Sequence, residues 1–239
     1  MNKPQNKPLQ GRVALITGAS RGLGAAIAKS YAAAGAHVVL LARTVSGLEQ
    51  VDDAIQAMGG TATLIPFDLA QTDKIETLGP ALAEKFRRLD IFVGNAAMLG
   101  ALSPVAMSDP KMYQNVFKVN FFANYQLIRT LDPLLRGSDA GRAIFVTSGV
   151  VRMNMPHWGA YAASKAALEK MVNAYAAEVA YSPLRVNIVD PGELRTDMHA
   201  EAFPGLDPKT LPLPDTIVDH FVTLASPDFK ETGKRVEAA

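Results

Sequence analysis

From Arg12 onward, short runs of apolar and β-branched residues alternate with longer stretches rich in alanine and leucine. A run that is apolar at nearly every position must be buried on both faces, and strands of that kind belong to parallel sheets covered by helices. The rhythm predicts strands at Arg12 to Thr17, His37 to Ala42, Ala62 to Pro66, Leu89 to Val93, Ala143 to Thr147 and Arg185 to Val189, with a last strand around Lys234 to Glu237. Helices are expected between them at Gly22 to Ala34, Gly47 to Met58, Thr72 to Arg87, Pro110 to Leu135 and Ala160 to Ala180, and a shorter one at Asp215 to Leu224. Right-handed crossovers turn such a series into an α/β fold, a doubly wound parallel sheet of about seven strands with helices on both faces. Ligands of such sheets sit beyond the carboxyl ends of the strands, so the residues that follow strands are the candidates for function.

One stretch breaks the rhythm. Glu193 to Pro214 carries Pro204, Gly205, Pro208, Pro212 and Pro214, which oppose regular helix and ladder pairing, and it is expected to be an irregular flap over the crevice. The remainder reads as a single domain, residues 11–239. Met1 to Gln10, with Lys3, Pro4, Lys7 and Pro8, is expected to be a flexible tail. No apolar run reaches the ~18 residues of a membrane span, so a cytoplasmic protein with no membrane partner is expected. The net charge of +1 and the lack of a basic run argue against nucleic acid. With no cysteine, and with His37, His157, His199 and His220 scattered, no metal site is expected.

Directly after the first predicted strand comes Thr17-Gly18-Ala19-Ser20-Arg21-Gly22-Leu23-Gly24, opening a helix. Glycines there let the backbone approach a pyrophosphate, and the free amides and dipole at a helix start stabilise its charge. The spacing of threonine and three glycines resembles the short-chain dehydrogenase/reductase family, whose single domain is a Rossmann fold. Asp68, after the third strand, matches the family residue that holds adenine, with Leu69 beside it. Asn95 in Gly94-Asn95-Ala96-Ala97 matches the second residue of the family's Asn-Asn-Ala-Gly signature, although Gly94 and Ala97 depart from it.

An acidic residue after the second strand would accept both ribose hydroxyls and repel a 2′-phosphate. The sequence has Arg43 there and Arg21 in the glycine loop. Two guanidinium groups favour a phosphate dianion, so NADP(H) is the expected cofactor, with NAD(H) a possible substitute; two solvated surface arginines are the plainer reading.

Tyr161 and Lys165 are four apart on a predicted helix and share a face. Ser148 ends the fifth strand and Asn120 lies inside the long helix from Pro110. Taken singly, each has an ordinary structural explanation. Together they resemble the family's catalytic tetrad, Asn120, Ser148, Tyr161 and Lys165. The chemistry fits, because a ketone that accepts hydride becomes an alkoxide and needs a proton donor. The resemblance implies that Tyr161 is acid in reduction and base in oxidation, with its pKa lowered by Lys165. It implies that Ser148 polarises the substrate oxygen, that Lys165 and Tyr161 also contact the nicotinamide ribose, and that Asn120 positions a water linking Lys165 to solvent. Pro191, Gly192, Leu194 and Thr196, after the sixth strand, match the loop that brackets nicotinamide. Asp190 and Glu193 there read as solvated loop carboxylates, with a place near the substrate as the alternative for either.

Met98, Leu99, Gly149, Met153, Met155, His157, Trp158 and Phe203 are candidates for the substrate pocket by their nearness to the tetrad or flap. Their apolar character points to a small apolar carbonyl compound and its alcohol, although such residues also build cores. In the family, helices corresponding to Pro110 to Leu135 and Ala160 to Ala180 form interfaces, which implies a homodimer or homotetramer. Two rival readings are a catalytically silent NADP(H)-sensing regulator on the same fold, which a broken tetrad would favour, and a nucleotide-sugar epimerase or dehydratase, which a longer chain would favour.

Overall fold

The computed structural model of the chain describes residues 7–238. Seven parallel strands form one sheet in the order β3-β2-β1-β4-β5-β6-β7. These are β1 (Val13–Thr17), β2 (His37–Ala42), β3 (Thr61–Pro66), β4 (Ile91–Gly94), β5 (Arg142–Val146), β6 (Arg185–Asp190) and β7 (Arg235–Glu237). Successive residues of a strand point to opposite faces, and both faces are covered. Ala14 and Ile16 of β1 pack with Val38 and Leu40 of β2 against helix α1 (Gly22–Ala33) and helix α2 (Val45–Ala57). Leu15, Val39 and Leu41 face the other way, toward α3 (Leu78–Phe86), α5 (Ala123–Arg136) and α6 (Gly159–Glu178). Chain order reverses between β1 and β4, and the crevice beyond that point is where a ligand belongs.

Three elements differ from the sequence expectation. The helix expected over Pro110 to Leu135 is α4 (Pro110–Phe117) and α5 joined by a π-helical turn, Lys118–Phe122, with Asn120 inside it. The helix expected from Thr72 opens as a 3₁₀ turn, Thr72–Thr77, before α3. The flap contains a short helix, α7 (Asp197–Ala202), because its prolines begin only at Pro204 and the Thr196 hydroxyl accepts the His199 amide at 3.2 Å. The last helix, α8 (Val218–Ala225), follows it.

Part of the expected tail is packed. The Leu9 side chain is fully buried, and its amide donates to the Ala34 carbonyl at 3.0 Å. An apolar contact that seals the end of α1 outweighs the local preference of a Lys- and Pro-rich segment. Residues 1–6 lie outside the described residues. Among the described residues, no helix is long and apolar enough to cross a membrane.

Candidate active site

The end of β1 is clamped to the end of β4. The Thr17 hydroxyl donates to the Val93 carbonyl at 3.1 Å and accepts from the Asn95 amide at 3.0 Å and the Ala96 amide at 3.1 Å. Asn95 Nδ2 returns a bond to the Thr17 carbonyl at 2.9 Å, so this side chain holds the glycine turn. Gly18 at φ +67° occupies the left-handed region. Any Cβ on Gly24 would overlap the Gly18 carbonyl and would lie 2.6 Å from Asn95 Nδ2, so the turn tolerates no side chain there.

The cleft above this turn has a volume of about 830 Å³. Gly18, Ser20, Arg21, Gly22, Leu23 and Gly24 of the glycine turn line it together with Arg43. Asp68, Leu69 and Asn95 line its side. Asp68 Oδ1 accepts the Ala70 amide at 3.0 Å, which fixes the turn after β3. A backbone cradle at a helix start, with two exposed arginines at hand, fits a dinucleotide. Arg21 Nη1 pairs with Asp197 Oδ2 on α7 at 2.9 Å, so the glycine turn and the flap meet across the cleft.

The cleft opens into a second cavity of about 330 Å³. Leu23, Asn95, Ala97, Thr196 and Met198 line both. Ser148, Tyr161 and Lys165 stand in the wall of this cavity, while Met153, Met155, Trp158 and Phe203 form apolar wall. Pro191, Gly192 and Leu194 complete the edge nearest the cleft. Aromatic contact continues from the phenol to the flap: Tyr161 meets Trp158 edge-on with centroids 5.9 Å apart, and Trp158 lies 5.7 Å from Phe203.

Tyr161 and Lys165 project from one face of α6 and are buried. Lys165 Nζ donates to the Val146 carbonyl at 2.7 Å and lies 5.8 Å from the Tyr161 ring centroid. Burial lowers the lysine to about 8, and Glu169 holds it up in part. The phenol is pushed up to about 12, chiefly by burial and to a smaller degree by Asp190, while a hydrogen bond with Ser148 pulls it back. The phenol therefore stands above its ordinary value, where the sequence led to the expectation of a phenol lowered by Lys165. Desolvation of the phenolate wins, and the ammonium is directed at a carbonyl.

A model of the short chain dehydrogenase family matches residues 12–207. The chain belongs to the short chain dehydrogenase family. It is similar to the oxidoreductase YciK of Escherichia coli (strain K12), 37% identical over 240 residues that cover 99% of this chain and 95% of that protein. Among solved structures it is similar to a short chain dehydrogenase from Salmonella enterica serovar Typhi CT18, with 37% identity, 99% of both chains covered and a TM-score of 0.94. It is also similar to one from Escherichia coli CFT073 complexed with NADPH, with 38% identity, 98% of this chain and 99% of that one covered, and a TM-score of 0.93. Membership of the short chain dehydrogenase family makes the chain an NAD(P)-dependent oxidoreductase.

Several positions of this short chain dehydrogenase differ from their sequence reading. Asn120 touches neither cavity wall; its Oδ1 accepts the Met98 amide at 2.8 Å, and its Nδ2 donates to the Met98 carbonyl at 3.0 Å and to Ser164 Oγ at 2.9 Å. The π turn carries that amide into the gap between the chain after β4 and α6. Held in this way, Met98 lines the cofactor cleft and not the apolar cavity. Leu99 packs behind Tyr161 and Trp158, and His157 is exposed in a left-handed turn at φ +75°. Gly149 lies on the cavity wall as expected from its place after Ser148.

Asp190, read from sequence as a solvated carboxylate, is 8% exposed and lies 2.7 Å from Arg235. Glu193 is exposed and lines the same cavity. His199 and Ala202 also reach the cavity wall, brought there by α7, and the sequence reading missed them because it expected no helix in the flap.

Proposed function

We propose that this short chain dehydrogenase interconverts a small apolar carbonyl compound and its alcohol with NADP(H), accepting NAD(H) less well. The observation that carries the reading is the meeting of Ser148, Tyr161 and Lys165 in the wall of a mostly apolar cavity that shares Leu23, Asn95, Ala97, Thr196 and Met198 with the glycine-lined cleft. NADPH, when bound, supplies the hydride. Ser148 donates a hydrogen bond to the substrate oxygen and holds it beside the phenol. Tyr161 keeps its proton until the oxygen becomes an alkoxide and then transfers it to that oxygen. Lys165, lowered to about 8, restores that proton and would hold the nicotinamide ribose hydroxyls when the cofactor is bound. Arg21 and Arg43, both in the cleft lining, would hold the 2′-phosphate. Asn120 acts through Ser164 and Met98 as a positioning residue, since its amide is committed to them.

The test is loss of reduced-nicotinamide absorbance when the protein and NADPH meet a panel of apolar ketones, aldehydes and quinones. Tyr161→Phe is expected to slow turnover by about 10²- to 10⁴-fold with NADPH affinity retained. NADPH binding without turnover of any carbonyl would favour the silent sensor, and equal rates for the two proteins would refute the acid role.

A further inference from the structure

A group of charges at the foot of the apolar cavity takes no part in the reaction described. Asp190 ends β6, and its Oδ2 lies 2.7 Å from Nη2 of Arg235 on β7. The same guanidinium reaches Glu169 Oε1 through Nε at 3.2 Å and Glu237 Oε1 through Nη1 at 2.7 Å. Glu169 stands one helical turn after Lys165 on α6, and its Oε1 also accepts the hydroxyl of Thr147, the neighbour of Ser148, at 2.6 Å. A Cβ on Gly149 would sit 3.4 Å from Asp190 Oδ2, so this carboxylate lies against the turn that follows Ser148. One arginine of the last strand thus ties together the end of β6, the helix of Tyr161 and Lys165, and the segment of Ser148.

The side chains of Asp190, Glu169 and Arg235 are 10%, 14% and 12% exposed, too dry for water to screen them well. Other charges near the phenol are placed differently. Glu193, on the loop after β6, is exposed; His199 comes from α7; Arg152 and Glu237 pair at 3.0 Å near the surface, where solvent weakens their field. Lys165 contributes from the phenol's own helix. Among the described residues, Arg235 is the cation that pairs with both inner carboxylates.

We propose that Arg235 is a positioning residue for the reaction: by neutralising Asp190 and Glu169 together, it sets the electrostatic field in which Tyr161 gives up and regains its proton. The inference rests on Tyr161 being the acid. Asp190 already opposes the phenolate and Glu169 already supports the ammonium of Lys165. With Arg235 gone, Asp190 acts unopposed on the phenol's surroundings, and the phenolate becomes harder to form.

The experiment titrates Tyr161 directly by ultraviolet phenolate absorbance at saturating NADP⁺, each protein being measured against its own Tyr161→Phe counterpart. Arg235→Met is expected to raise the Tyr161 midpoint by roughly one pH unit. Arg235→Lys, which keeps the charge, is expected to stay close to the parent protein. Adding Asp190→Asn to Arg235→Met is expected to bring the midpoint back down. Coincident midpoints for the parent and Arg235→Met overturn the inference, as does a shift that survives the addition of Asp190→Asn, because a purely structural role would leave it there. If Arg235→Met does not fold, Asp190→Asn alone must lower the midpoint, and an unmoved midpoint overturns the proposal. Equal turnover by the parent protein and Tyr161→Phe removes the acid role itself, whereas a Tyr161 midpoint that Arg235→Met leaves in place removes only the inference.

Discussion

Burial changes Tyr161 and Lys165 in opposite senses. Removing a phenolate from water raises the phenol, and removing an ammonium lowers the lysine, so the two groups stand about 12 and 8 where water would leave them nearly equal. The lysine therefore loses its proton more readily than the phenol does, which suits a residue that resupplies a proton donor. Resemblance to the family's tetrad brought out Ser148, Tyr161 and Lys165 together, while spacing accounts only for the shared face of Tyr161 and Lys165, four apart on a helix. Their pKa order was not legible, since it depends on what covers them. The same limit explains Asp190: a carboxylate beside Pro191 and Gly192 reads as solvated until β7 lays Arg235 on it. Arg43 belongs at this scale too. Both Arg43 and Arg21 are exposed at the cleft, but Arg21 is shared with Asp197, which leaves Arg43 the freer partner for a phosphate dianion. Arg43→Ala is expected to raise the KM for NADPH by about 10- to 100-fold and that for NADH far less, as removal of one charge-assisted contact requires. Steady-state kinetics with both cofactors checks this, and equal changes would contradict it.

The strands were readable from the sequence because each is a short apolar run closed by polar or glycine residues, and their observed limits fall close to the expected ones. Helix interiors were harder to read. A π turn such as Lys118–Phe122 changes the hydrogen-bond register without altering composition, and the apolar residues around Asn120 look the same with or without it. The turn matters because it delivers Asn120 to Met98 and Ser164, next to Lys165. Helix α7 escaped notice for the opposite reason: the prolines that follow it drew attention away from six residues free to coil. The helices α4, α5 and α6 also bear on assembly. Phe122 and Tyr125 are 48% and 42% exposed on this part of the molecule, and an apolar aromatic surface of that kind suits contact with another copy. Light scattering is expected to find a homodimer or homotetramer, and a monomer at micromolar concentration would count against it.

At the scale of the whole molecule, the sheet order places the site. Because β1 lies between β2 and β4, the glycine turn after β1 and the loop after β4 face one another, and a cleft opens between them. Further along the same edge, β5 and β6 deliver Ser148 and the Pro191-Gly192 loop, and the apolar cavity forms where these meet α6 and the flap. This arrangement was expected from the strand and helix rhythm, since a doubly wound sheet has its crevice where chain order reverses. The closure of the cavity by α7 and its support from β7 were not, because both depend on contacts between segments far apart in the sequence. The central claim is that this junction passes a hydride from nicotinamide to a carbonyl carbon while Tyr161 supplies the proton. NADPH with both hydrogens of its reactive ring carbon replaced by deuterium, incubated with the protein and an apolar ketone that it turns over, tests this most directly. Mass spectrometry is expected to find the label on the carbinol carbon, formed far more slowly by Tyr161→Phe; an unlabelled alcohol, or equal rates of labelled-alcohol formation by both proteins, would contradict the account.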